Sequence, residues 1–155
     1  MSSKTINEFS SFISYIESLR NLPEQYWMLP IAPGKWILKE LVCHLWNWDH
    51  YSLNVMIPLM EAGAKLPDFV NIEEHNEAAK ELAKSFNNAI DLIDVFVKNR
   101  EEMVQLLIQK YDKTVRFTIG NGKRQYSFDS YVGIFTHHDE HHKTQIEDMK
   151  RRLHL

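Results

Sequence analysis

The run Thr136-His137-His138-Asp139-Glu140-His141-His142-Lys143-Thr144-Gln145 holds four of the chain's eight histidines within six positions. In a helix, residues four apart stand one turn above each other on the same face. His137 then pairs with His141, and His138 with His142. Two imidazoles at that spacing can share one divalent metal ion. A further histidine, His44, lies far upstream in a strongly amphipathic segment. Together they suggest a three-histidine metal site inside a helical bundle.

Helical arithmetic separates the two pairs. Taking about 100° per residue from Phe128, the apolar residues Tyr131, Phe135, Ile146, Met149 and Leu153 centre near roughly 330°. His138 then lies near about 280° and His142 near about 320°, while His137 and His141 fall near roughly 180° and 220°, toward solvent. Upstream, His44 sits on a stripe with Ile37, Leu41 and Trp48, and His50 is well off it. The inward set is therefore His44, His138 and His142. His50, His75, His137, His141 and His154 read as surface residues. Cys43 turns about 100° away from His44 and reads as a non-ligand. A buried imidazole is costly unless bonded, and three converging on one point satisfy each other poorly, a conflict that a metal ion resolves. Spacing alone leaves a second reading open: His44 bonded to a backbone carbonyl, with His138 and His142 a partly solvated edge pair.

The elements that must hold these residues are helical. Thr5-Ile6-Asn7-Glu8 has the form of a capping box, and Ile6, Phe9, Ile13 and Ile16 carry an apolar stripe to about Arg20. Asn21-Leu22-Pro23 breaks it, and an aromatic, Pro-rich loop runs to Pro33-Gly34. A second helix is predicted from Lys35 to Glu61, kinked or ended near Pro58. A long third helix is predicted from Asn71 to Tyr111. Between Thr114 and Ser127 the period changes to two, and Asn121-Gly122 signals a short β-hairpin. Ser127 can cap a last helix to about Leu153. The pattern predicts an all-α four-helix bundle with crossover connections, plus that hairpin, as a single domain over 1–155.

The 155 residues suffice for one real core. A net charge of −3 gives no basic field for nucleic acid. No apolar run approaches the ~20 residues that span a bilayer, and Met1–Ser14 lacks a signal-peptide core. A cytoplasmic location is the expectation. With one cysteine, neither an internal disulfide nor a Cys-rich zinc knuckle can form. Exposed aromatics in the first loop and the hairpin offer a homodimer interface.

At the histidines the chain resembles a known family. Pro33-Gly34-Lys35-Trp36-Ile37-Leu38-Lys39-Glu40 through His44 is similar to the second-helix signature of the DinB/YfiT-like superfamily, P-G-K-W-S-x-x-E-x-x-x-H. His138-x-x-x-His142-Lys143-Thr144-Gln145 is similar to its last-helix motif, H-x-x-x-H-R-G-Q. Asn76-Glu77 fits a further common pattern. Ile37 stands where Ser is frequent, and Lys143-Thr144 where Arg-Gly is usual. The resemblance implies a four-helix bundle of unusual connectivity. It also implies a divalent metal on His44, His138 and His142, in a family that includes thiol-dependent S-transferases, a thiol-dependent isomerase, proposed metal-dependent hydrolases and many members of unknown activity.

Three imidazoles suit zinc or nickel, and three protein ligands leave a position open for water or substrate. A bound water could hydrolyse a small-molecule substrate. Alternatively, a low-molecular-weight thiol could bind, deprotonate and attack an electrophile. No general acid or base stands out, which keeps a non-catalytic, stress-related metal-binding bundle as the alternative. Asp49, Asp139 and Glu140 read as solvated helix-face charges. Gln145, near roughly 260°, is placed to orient a ligand. Trp36, Trp46 and Trp48 read as core that could also line a pocket. Tyr26 and Trp27 read as either a cover over the site mouth or a satellite core.

Overall fold

The computed structural model describes residues 3–155. Its six α-helices are α1 (Lys4–Ser18), α2 (Glu24–Trp27), α3 (Leu38–Tyr51), α4 (Ile72–Lys84), α5 (Ala89–Lys110) and α6 (Phe128–Arg152). Four of them, α1, α3, α5 and α6, form the bundle. α1 packs against α5 and α6, α3 packs against α5 and more lightly against α6, and α4 covers α3 from outside. Among the described residues no helix is long and apolar enough to cross a membrane.

The helix ends differ from the sequence expectation for local reasons. Ser3, not Thr5, caps α1: its hydroxyl accepts from the Ile6 N–H and also bonds Asp129, which takes a second bond from the Tyr111 hydroxyl. One oxygen thus serves both the cap and the tie to α6. α3 begins at Leu38. Ile37 has no acceptor to cap it, but the Glu40 carboxylate accepts from the Ile37 N–H at 3.0 Å. At its other end α3 widens into a π-turn (Ser52–Met56) and a 3-10 turn (Ile57–Leu59). Pro58 lacks an N–H and clashes with the preceding turn, so a regular α-helix cannot pass it.

The long third helix is two helices. α4 ends at Lys84, and Asn88 starts α5 by accepting from the Asp91 N–H at 2.9 Å. Asparagine side chains compete for backbone donors and favour caps over helix interiors. The Glu24 carboxylate also accepts from the Ala89 N–H, which fixes the new start. The apolar spacing continued through Phe86 and Ile90 and concealed the break, yet Ile90 is exposed.

The hairpin is also modified. Phe117 and Tyr126 exchange both backbone bonds, at 3.0 and 2.8 Å, and the antiparallel pairing stops there. Strand β2 (Thr118–Ile119) pairs instead in parallel with β1 (Lys65–Leu66), in the register Lys65–Thr118 and Leu66–Ile119. Gly120, at φ +59°, turns the chain beneath Asp68, whose carboxylate fills the space a Cβ would need. That close approach, rather than a tight Asn121-Gly122 turn, sets the loop.

Two apolar clusters fill the bundle. One gathers Trp27, Leu38, Leu41, Phe96 and Ile146; the other gathers Phe9, Met56, Leu107, Phe117 and Phe128. Trp27 is therefore core and not a cover. Between the clusters lies Arg100, wholly buried, with its guanidinium 3.8 Å from the Phe9 ring centroid and 5.0 Å from that of Phe96.

Candidate metal centre

α3 carries His44 and α6 carries His138 and His142 to one point. His44 Nε2 lies 3.1 Å from His138 Nε2, and His142 Nε2 lies 3.0 Å from the same atom. One nitrogen from each ring falls within 4.8 Å of the other two. The rings meet edge to face, with centroids 4.4 to 5.1 Å apart. His44 is buried, and His138 and His142 are half-buried. His137 and His141 point outward, as do His50 and His154. His75 departs from the surface reading. It is half-buried, its ring sits 4.3 Å from Trp48, and its Nε2 meets the Asn47 carbonyl at 3.2 Å.

Burial holds the triad neutral. Desolvation, reinforced by repulsion from the neighbouring imidazoles, pushes His44 down to about 3 and His138 down to about 4. Desolvation also lowers His142. The Gln145 oxygen accepts from His142 Nδ1 at 2.6 Å, which leaves the lone pair of His142 Nε2 directed at its two partners. His44 Nδ1 is buried without a hydrogen-bond partner.

This donor set fits a divalent ion. Three imidazole nitrogens converge within 4.8 Å, one tautomer is set, and the two separations from His138 Nε2 are close to a metal's coordination edge. Ligands about 2.0–2.1 Å from a tetrahedral zinc are roughly 3.3 Å apart, close to the 3.0 and 3.1 Å observed. Without an ion, His138 Nε2 faces two nitrogens with at most one proton to share. Cys43 takes no part: it is buried, and burial pushes its thiol up to about 12.

Gln145 orients rather than ligates, so its replacement should weaken metal binding without abolishing it. Gln145→Leu is expected to lower zinc affinity by about 10- to 100-fold, measured by competition with a chromophoric chelator. An unchanged affinity would remove Gln145 from the site.

The neutral histidines also predict an acid response. Between the ordinary pKa of 6.5 and about 3, the unfolded chain binds a proton that folded His44 refuses. The stability tied to His44 is thus present above pH 6.5 and lost as pH falls toward 3. In chelator, the wild type should lose about 1.4 kcal/mol more per pH unit than His44→Phe across that window, by urea unfolding at stepped pH. Parallel slopes would mean that His44 is not held neutral.

Directly behind the triad is a group that the sequence reading did not find. Arg100, from α5, donates to Asp49 of α3 at 2.7 and 3.1 Å and to Asp139 of α6 at 2.8 and 3.1 Å. It also donates to the Phe9 carbonyl of α1 at 3.1 Å. Asp49 and Asp139 are 1% and 4% exposed, which overturns their reading as solvated charges; Glu140 is exposed as expected. Asp139 follows His138 directly, so this one guanidinium ties both histidine-bearing helices to the rest of the bundle. Burial raises both carboxyls, against the opposing pull of Arg100. A signal was present: Arg100 occupies a core position between Phe96 and Met103.

Two clefts open from the triad, and His44, Asn76, His138 and His141 border both. One, of about 480 Å³, is walled by Trp48, Phe69, Ile72, Ile134 and Phe135. The other, of about 420 Å³, carries Lys35, Trp36 and Gln145. Trp36 and Trp48 thus line the two clefts, while Trp46 packs against the Phe86 ring and stacks on His50.

The profile of the DinB superfamily matches residues 14–146. Among solved structures, YfiT from Bacillus subtilis, described as "a probable metal-dependent hydrolase with an unusual four-helix bundle topology", superposes with a TM-score of 0.76. The match covers 99% of this chain and 90% of that one at 18% identity, a likeness of fold. No curated protein sequence matches the chain.

Proposed function

The chain belongs to the DinB superfamily, and from that footing we propose that it is a divalent-metal-dependent enzyme acting on a small molecule, by hydrolysis or by thiol S-transfer. The observation that carries the reading is the convergence of His44, His138 and His142 nitrogens within 4.8 Å. Zinc or nickel is the fitting ion for three neutral imidazoles. A bound divalent ion would bring the pKa of a coordinated water or thiol toward neutrality. The chain's own residues supply the rest. His44, His138 and His142 would hold the ion, and the two clefts open beside them. Gln145 fixes the His142 tautomer. Arg100, through Asp49 and Asp139, holds the two histidine-bearing helices at their separation.

Elemental mass spectrometry on tag-free protein tests this reading. About one zinc or nickel ion per chain is expected in the wild type, and neither in His44→Ala nor in His138→Ala. Wild-type protein that holds no metal, even after reconstitution, would sink it. A second reading, a metal-binding bundle without turnover, is supported by one observation: no carboxylate lines either cleft at the triad, which leaves the exposed imidazoles of His137 and His141 as the only further titratable side chains on the apolar cleft. Thiol binding without reaction toward any electrophile or ester in a screen would favour it.

A further inference from the structure

The two clefts beside the triad differ in chemistry, and that difference gives the site a polarity. We infer that the site takes a substrate with an apolar alkyl or aryl tail, seated among Trp48, Phe69, Ile72, Ile134 and Phe135, while its reacting head lies against His44 and His138. This inference rests on the metal-dependent reading above.

Four observations carry it. First, the apolar cleft is continuous with the triad, because His44 and His138 are part of its wall. Second, no Lys, Arg, Asp or Glu lines it, and beyond the triad its polar lining is Asn76 and the exposed His137 and His141, against five large apolar side chains. The carboxamide oxygen of Asn76 already accepts from Trp48 Nε1 at 3.0 Å. A polar tail would therefore lose its hydration and find few partners. Third, Ile72 is 60% exposed and Ile134 40% exposed. Large apolar side chains left open at the mouth of a cavity mark a binding surface more than a core. Fourth, the walls are braced before any ligand arrives. Phe69 stacks on Tyr131, whose hydroxyl pairs with buried Ser52 at 2.6 Å, and Trp48 packs between Phe69 and His75. A volume of about 480 Å³ lies within the range of small-ligand sites, roughly 300–1,000 Å³. The polar end of such a substrate has its own outlet, the second cleft with Lys35 and Gln145.

The test uses zinc-loaded, tag-free protein and a series of n-alkyl hydroxamates, from acetohydroxamate to octanohydroxamate, followed by calorimetry. The hydroxamate head is a metal chelator and only the tail varies. Affinity is expected to rise roughly two- to fourfold per added methylene. In Ile72→Asp and Ile134→Asp the loss of affinity should grow with chain length, flattening the series. Both positions are exposed, so the variants should fold. A wild-type series that binds acetohydroxamate but does not tighten with length overturns the inference and leaves the metal reading standing. Failure of every hydroxamate to bind protein that holds zinc overturns the open-position reading instead. A separate titration of metal-free protein with p-xylene then decides the cleft. Shifts of the Ile72 and Ile134 methyl resonances would support an apolar-binding cleft, and their absence would overturn it.

Discussion

Replacing Arg100 with methionine is expected to lower the free energy of unfolding by about 3–5 kcal/mol at neutral pH, because it leaves buried carboxylates without their counter-charge. Methionine fills much the same volume, so packing loss is a minor part. Asp49 and Asp139 would face each other across an apolar gap bounded by Phe9 and Phe96. Each would be driven to bind a proton. That gives the effect a pH signature with a definite sign. The carboxyls of the variant would have folded-state pKa values far above their unfolded values. Their neutral form supports the fold at low pH, and that support is lost as pH rises through the raised pKa. The deficit of Arg100→Met relative to wild type should therefore shrink on acidification. Urea denaturation at neutral and at acid pH measures it. A deficit independent of pH would assign the loss to packing. Adding Asp49→Asn and Asp139→Asn to Arg100→Met should recover part of the loss, since a whole buried ionic group can be exchanged for neutral ones at small cost.

Metal loading should have an effect of similar size and opposite sign. An ion that binds the folded site and not the unfolded chain stabilises by mass action, about 4 kcal/mol at free metal a thousandfold above Kd. Zinc titrated into chelator-stripped protein should raise the unfolding midpoint accordingly. His138→Ala should show no such rise, because His138 Nε2 is the atom nearest both other nitrogens. A zinc response retained in His138→Ala would place the ion elsewhere. Arg100→Met should answer zinc weakly even where it still folds, for the network is what holds α3 and α6 in register.

Much of the site was legible from spacing. A helix turns by a constant angle per residue, so the inward faces of α3 and α6 follow from the order of residue types alone, and the apolar stripes marked His44, His138 and His142. The same arithmetic places Asp139 about 50° from the centre of the α6 stripe, on the opposite flank from His138. Its burial was thus within reach of the numbers. An isolated carboxylate does not belong in a core, and the partner that makes its burial tolerable lies 39 residues away, beyond the reach of any local pattern.

The split between α4 and α5 was hidden for a related reason: apolar spacing persisted through a segment whose backbone is turned by Asn88 and by the Glu24 carboxylate. The single β2 pairing was out of reach as well. Thr118–Ile119 alternates like any hairpin strand, and only the arrival of Lys65–Leu66 and Asp68 decided which neighbour it would take.

The helical character of α1, α3 and α6, the inward faces of α3 and α6 and the histidine pair on α6 follow from the order of residues alone, because each depends only on neighbours within a turn or two. The approach of His44 to His138, the sharing of Arg100 by Asp49 and Asp139, the parallel strand pair and the unlike chemistry of the two clefts were decided by the tertiary structure alone. Each of these depends on which atoms meet between elements far apart in the chain, and no local period encodes that.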